Sequence, residues 1–132
     1  MRRRRVRNHA AMIIALLAMS VSLLAGENAK DITPAQAQKM IVMGGYLVLD
    51  VRTPKEYRSG HLVNAVLVDY YEKEFLANLM KLDKDKPIIV YCARGRRSAE
   101  AMDMMVNNGF KKVYNVVGGF ERWSAELLPS VP

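Results

Sequence analysis

The one cysteine of this 132-residue chain lies in the segment Cys92-Ala93-Arg94-Gly95-Arg96-Arg97-Ser98. The thiolate is the nucleophilic form of cysteine, and positive charge or converging N–H donors beside the sulfur favour it. Small residues and Gly95 let the chain curl until successive backbone N–H groups face one point, an anion-binding nest. A helix beginning near Ser98 aims its positive end at the same place, and Arg94, Arg96 and Arg97 add charge. An inert core cysteine would gain nothing from such neighbours, so Cys92 is read as a reactive thiol. Such a cradle would accept a persulfide, or the sulfonate oxygens of a thiosulfate-like donor. The thiolate would attack the donor's outer sulfur and release an oxyanion, and an acceptor nucleophile would then remove that sulfur. The candidate site is therefore Cys92 as nucleophile, with Ala93, Arg94, Gly95, Arg96, Arg97 and Ser98 as the substrate cradle. Arg97 is the first choice for direct contact and Arg94 the second.

Other chemistries find little support. One cysteine with His9 and His61 cannot supply a zinc shell, and a lone cysteine cannot form a disulfide within the chain. Neither a glycine-rich dinucleotide loop nor a phosphate loop with its lysine is present, so no cofactor or metal is expected. His61, between Gly60 and Leu62, is read as structural. The nine methionines fall largely on helical apolar faces, which indicates core filling.

The elements that must position Cys92 alternate in type. Thr33-Pro34 caps a helix that runs through Met40 and Ile41 to Gly44-Gly45. Tyr46–Val51 reads as a buried strand broken by Thr53-Pro54, and a loop through Gly60 and His61 leads to a second strand at Ala65–Val68. Phe75, Leu76, Leu79, Met80 and Leu82 predict a helix over residues 72–82. Ile88-Ile89-Val90-Tyr91 is the most strand-like run, and it delivers Cys92 at its end. A helix over Ser98–Asn108, a strand over Val113–Val117, a Gly118-Gly119 turn and a helix over Phe120–Leu127 complete the chain. Short apolar strands alternating with helices predict an α/β fold with a parallel sheet covered on both faces. Ligands of such sheets bind beyond the carboxyl ends of the strands, where Cys92 lies.

The formal charge of +7 is concentrated at the start, in Arg2, Arg3, Arg4, Arg5 and Arg7. Residues 1–26 aside, 15 basic side chains face 13 acidic ones, a balance of +2. Nucleic acid is therefore not an expected partner. The arginines precede an uncharged apolar run from Ala10 to Gly26, the pattern of an export signal. The run is also close to the length of a membrane span, so residues 10–26 would tether the protein if they are not removed. Residues 1–26 are thus read as signal or anchor and 27–132 as one domain, with 27–32 a polar linker. The expected location is periplasmic or otherwise exported, and a monomer is expected.

Two separated motifs resemble the rhodanese family. The first is Asp50-Val51-Arg52 with Glu56-Tyr57, Gly60-His61-Leu62 and Asn64-Ala65. The second runs from Ile89-Val90-Tyr91-Cys92 through Gly95, Arg97 and Ser98 to Gly118-Gly119 and Trp123. Together they cover residues 31–127. The resemblance implies a five-stranded α/β domain with a catalytic cysteine, and a loop over residues 92–97 whose amides hold the sulfur. It implies thiosulfate or a similar anionic donor, with cyanide or a thiol as acceptor. Asp50 with Arg52 would then be scaffold beneath the loop, and Glu56 with His61 would brace the first connection. Phosphatases and arsenate reductases of this fold carry an arginine six places after the cysteine, where this chain has Ser98, which disfavours phosphate chemistry. The layout of export signal plus one short domain is similar to the small periplasmic rhodaneses of the phage-shock group. The alternative reading is a persulfide carrier or regulatory module acting on a partner protein, because so short a chain has little surface to enclose an acceptor.

Overall fold

The computed structural model describes residues 28–132, so the reading of residues 1–26 as signal or anchor lies outside the described residues. Among the described residues, no helix is long and apolar enough to cross a membrane. The elements in chain order are β1 (Ala29–Ile32), α1 (Pro34–Met43), β2 (Leu47–Asp50), α2 (Pro54–Arg58), β3 (Val66–Leu67), α3 (Phe75–Leu79), β4 (Ile88–Tyr91), α4 (Arg96–Asn107), β5 (Val113–Val116) and α5 (Gly119–Ala125). The strands form one five-stranded sheet in the order β1-β5-β4-β2-β3, every pair parallel.

Strand β4 is central and all four of its residues are buried, as a continuous apolar run in a sheet covered on both faces requires. Side chains alternate between the faces. Ile88 and Val90 join Leu49, Val51 and Val113 under Phe75 and Leu79 of α3 and Ala101, Met102 and Met105 of α4. Ile89 and Tyr91 point the other way, with Val48, Val116, Ala37 of α1 and Trp123 of α5. The helix-covered parallel sheet predicted from the alternation is therefore present, and Met102 and Met105 fill its core as expected.

Four expectations need correction. Residues 27–32 do not form a linker throughout, because Ala29–Ile32 is the edge strand β1, registered on Val113–Val116. Only Ile32 of β1 is buried. Backbone pairing holds this strand, so its side chains carry little apolar pattern. Thr53-Pro54 does more than break β2: it opens α2, whose Thr53 accepts from the Glu56 N–H while Glu56 accepts from the Thr53 N–H, a capping box. Thr33 and Gln36 make the same box at α1. The helix expected over 72–82 narrows to Phe75–Leu79, whose buried Phe75 and Leu79 are one turn apart and whose start has no side-chain cap. Finally, α4 begins at Arg96 instead of near Ser98, because Gly95 in a left-handed conformation (φ +104°) acts as its N-cap.

Candidate active site

Cys92 leaves the carboxyl end of β4 and enters a tight curl before α4. Two backbone bonds shape the curl from outside. The Cys92 carbonyl accepts from the Phe120 N–H at 2.8 Å, and the Ala93 carbonyl accepts from the Glu121 N–H at 3.0 Å. Turning these carbonyls outward leaves the N–H groups of the curl facing inward. The Gly95 N–H donates to the Cys92 Sγ at 3.0 Å and the Ser98 hydroxyl donates at 3.3 Å. The N–H groups of Arg94 and Ser98 add to these donors in favouring the anionic sulfur. Burial pushes the thiol up, but the Ser98 hydroxyl and the three N–H groups together outweigh it, and the thiol lies below its ordinary value.

The approach of the Gly118-Gly119 turn to this curl depends on the absence of a side chain. A Cβ on Gly119 would stand 2.4 Å from the Cys92 carbonyl oxygen and 2.6 Å from the Ala93 carbonyl carbon. The turn is therefore the far wall of the loop, and Gly119 permits the contact that orients it.

Above the sulfur opens a pocket of about 440 Å³ lined by Cys92, Ala93, Arg94, Arg96, Arg97 and two tyrosines, Tyr70 and Tyr71. Ala93 thus forms part of the wall, Gly95 contributes its N–H, and Ser98 is fully buried beside the sulfur. Each loop arginine has an acidic partner. Arg97 makes two bonds to Glu56, at 2.9 and 3.0 Å, and these hold the Glu56 carboxyl down at about 2. Arg94 meets Glu121 at 2.9 Å and Arg96 meets Glu100 at 3.6 Å, both pairs exposed. Among the described residues, no cluster of His, Cys, Asp and Glu could hold a metal ion.

Beneath the loop lies a buried polar unit. Arg52 donates to both Asp50 oxygens and to the Gly60 carbonyl, with its guanidinium 4.3 Å from the Phe120 ring centre. The Tyr91 hydroxyl donates to Asp50 at 2.6 Å and accepts from the Leu62 N–H at 3.1 Å. Burial and the Asp50 charge push the Tyr91 phenol up, which keeps it a donor. Asp50 and Arg52 thus sit in the scaffold, next to the residue that precedes Cys92. His61 stacks on Tyr57 with ring centres 3.7 Å apart and hydrogen-bonds through Nδ1 with the Tyr57 carbonyl, and the hydrogen bonds to the sulfur come from Gly95 and Ser98 instead. Glu56 does cap the first connection, but its charge serves Arg97, a partner 41 residues away that the first motif alone does not reveal. Tyr70, Tyr71, Glu100 and Glu121 are site residues that sequence reasoning did not single out.

This geometry has relatives. The family description "Rhodanese-like domain" fits residues 33–126. A thiosulfate sulfurtransferase GlpE of Pseudomonas savastanoi pv. phaseolicola is 41% identical over 97 residues, which are 73% of this chain and 88% of that protein. The GlpE of Coxiella burnetii is 33% identical over 96 residues, 73% of this chain and 88% of its own length. Among solved structures, a rhodanese-related protein of Thermoplasma volcanium superposes with a TM-score of 0.69 at 33% identity, covering 77% of this chain and 97% of that one. With the parallel sheet, the cysteine loop and these matches agreeing over most of its length, the chain belongs to the rhodanese family.

Proposed function

We propose that this domain is a thiosulfate sulfurtransferase working through a Cys92 persulfide. The observation that carries the reading is the Cys92 sulfur, which takes hydrogen bonds from the Gly95 N–H and the Ser98 hydroxyl at the floor of an arginine-rimmed pocket. Donors arranged to stabilise a thiolate also stabilise the terminal sulfur anion of a persulfide. In the first step the thiolate attacks the outer sulfur of thiosulfate. A new S–S bond forms to Cys92, the donor's S–S bond breaks, and its electron pair leaves on sulfite. In the second step cyanide or a thiolate attacks the outer sulfur and carries it away, and the electron pair of the Cys92 S–S bond returns to Cys92. Charge balances in both steps, and the protein needs no redox partner.

Phosphate chemistry fits less well. Ser98 occupies the sixth place after the cysteine, and its hydroxyl is already committed to the sulfur. The apolar run at Ala10–Gly26 supports an exported domain, periplasmic in a cell with two membranes.

The test is turnover of thiosulfate and cyanide to thiocyanate by the purified protein, with Cys92→Ser as control. Thiocyanate from the wild type and none from the variant is the expected result, and undiminished turnover by the variant would sink the mechanism. Intact mass after thiosulfate alone should rise by about 32 Da, one sulfur atom on the nucleophile. A stable persulfide combined with slow turnover of every small acceptor would instead favour a carrier that passes sulfur to a protein. The mass of protein recovered from the producing cell reports whether residues 1–26 have been removed.

A further inference from the structure

Tyr71 is a large aromatic side chain left 68% exposed at the mouth of the Cys92 pocket, yet it is held on two sides. Its ring meets Tyr70 edge-on, with centres 5.3 Å apart and planes at 90°, and the Arg97 guanidinium stands 5.4 Å from its centre. Tyr70 is anchored in turn. Its hydroxyl bonds to Glu100 of α4, and its ring packs on Phe75 at 5.1 Å. The Tyr71 N–H also donates to Asp69 at 2.9 Å, which fixes the backbone from which the ring projects. A ring positioned this firmly contributes little to the core.

The charge of the rim points the same way. Arg94, Arg96 and Arg97 are compensated by Glu121, Glu100 and Glu56, so the pocket mouth is less cationic than its arginines imply. The wall then offers an acceptor mainly flat π-surface and guanidinium planes, which bind organic bodies by stacking and give little to a small inorganic nucleophile.

We propose that Tyr71 is a specificity-determining residue for the second half-reaction, stacking on the body of an organic thiol acceptor and favouring it over cyanide. The proposal rests on the sulfurtransferase reading above and names the acceptor class of that site. The acceptor thiolate attacks the outer sulfur of the persulfide, the electron pair of the Cys92 S–S bond returns to Cys92, and the acceptor leaves as its own persulfide.

Sulfite release from thiosulfate is measured for the full chain, Tyr71→Phe and Tyr71→Ala with two acceptors, 4-mercaptobenzoate and cyanide. Tyr71→Ala is expected to raise the KM for the aryl thiol about five- to tenfold, as the loss of an aromatic contact implies, with kcat little changed. The thiol-to-cyanide ratio of kcat/KM should fall accordingly, and Tyr71→Phe, which keeps the ring face, should behave as wild type. Equal changes for both acceptors, no change for either, or a Tyr71→Phe defect as large as that of Tyr71→Ala would overturn the proposal. Binding of 4-hydroxybenzoate, an unreactive oxygen analogue, supplies a readout without turnover, and its Kd should weaken in Tyr71→Ala by a similar factor. If the wild type releases no sulfite with either acceptor, the sulfurtransferase reading fails, while an unchanged analogue Kd counts against Tyr71 itself.

Discussion

Glu56 and Arg97 meet through two parallel bonds of 2.9 and 3.0 Å across 41 residues of sequence. The same carboxylate accepts the Thr53 N–H at the start of α2. One side chain thus ties the cap of a short helix to the first turn of α4, the turn that also presents Ser98 to the sulfur.

Glu56→Gln should keep the cap, since an amide oxygen can still accept from Thr53, and lose the ion pair. At neutral pH this should cost about 1 kcal/mol for a partly exposed pair, a fall of about 4–8 °C in Tm for a domain of this size. Arg97 holds the Glu56 carboxyl down at about 2, against 4.5 ordinarily, so the stabilisation is fully present above pH 4.5 and fades as pH falls toward 2. Urea titrations at pH 7 and in acid check this. The gap between the two proteins should close in acid, and a gap that stays constant would locate the effect outside the ion pair.

Ser98→Ala should raise the Cys92 thiol pKa, because a donor to the thiolate is removed while burial, which opposes ionisation, remains. At pH values below both thiol pKa values, less thiolate means slower alkylation by iodoacetamide, about three- to tenfold for the loss of one hydrogen bond to the sulfur. The difference should vanish at pH values above both thiol pKa values, where each protein is fully thiolate. A rate defect that persists there would mean that Ser98 acts by shaping the loop.

What could be read beforehand follows from where each signal resides. Strand β4 is buried on both faces and announces itself as an apolar run, β2 and β5 are mostly buried and rich in Leu, Val and Tyr, and Cys92 is legible because its loop chemistry is contiguous in sequence. Strand β1 is held by its backbone at the sheet edge, so Lys30 and Asp31 can face solvent and imitate a linker. Helix α2 buries none of its five residues and so has no apolar period to reveal it, although Thr53-Pro54-Lys55-Glu56 repeats the start signal of Thr33-Pro34-Ala35-Gln36. Glu56 against Arg97, and Tyr71 over the same guanidinium, are tertiary meetings that no local period encodes.

Gly119→Ala should damage the site more than its strain alone explains. The new Cβ would stand 2.4 Å from the Cys92 carbonyl oxygen, a backbone atom that cannot move without reorienting the loop. We expect at least about 2 kcal/mol of destabilisation and a large loss of kcat in the molecules that fold. Gly109→Ala is the control, because Gly109 has φ +93° with only the Lys84 side chain near, at 3.9 Å. It should carry the conformational penalty of about 1–2 kcal/mol and leave activity per folded molecule unchanged. Equal activity losses in the two variants would argue against a specific role for the turn-to-loop contact.

Arg52→Met should be the most destabilising of these changes, because it leaves the Asp50 carboxylate buried with only the Tyr91 hydroxyl and the Arg52 backbone N–H as donors. Breaking one side of a buried pair typically costs about 3–5 kcal/mol, chiefly as the penalty of the stranded charge. The same logic fixes the sign of a second change. Asp50→Asn added to Arg52→Met removes the charge and keeps an oxygen for Tyr91, so the double variant should be more stable than Arg52→Met alone. Packing gives the opposite expectation: if Arg52 matters mainly as a body 4.3 Å from the Phe120 ring centre, Asp50→Asn cannot recover what is lost. Urea midpoints of the four proteins in this cycle separate the two, and a double variant no more stable than Arg52→Met would show that packing, not charge, holds the floor of the Cys92 loop.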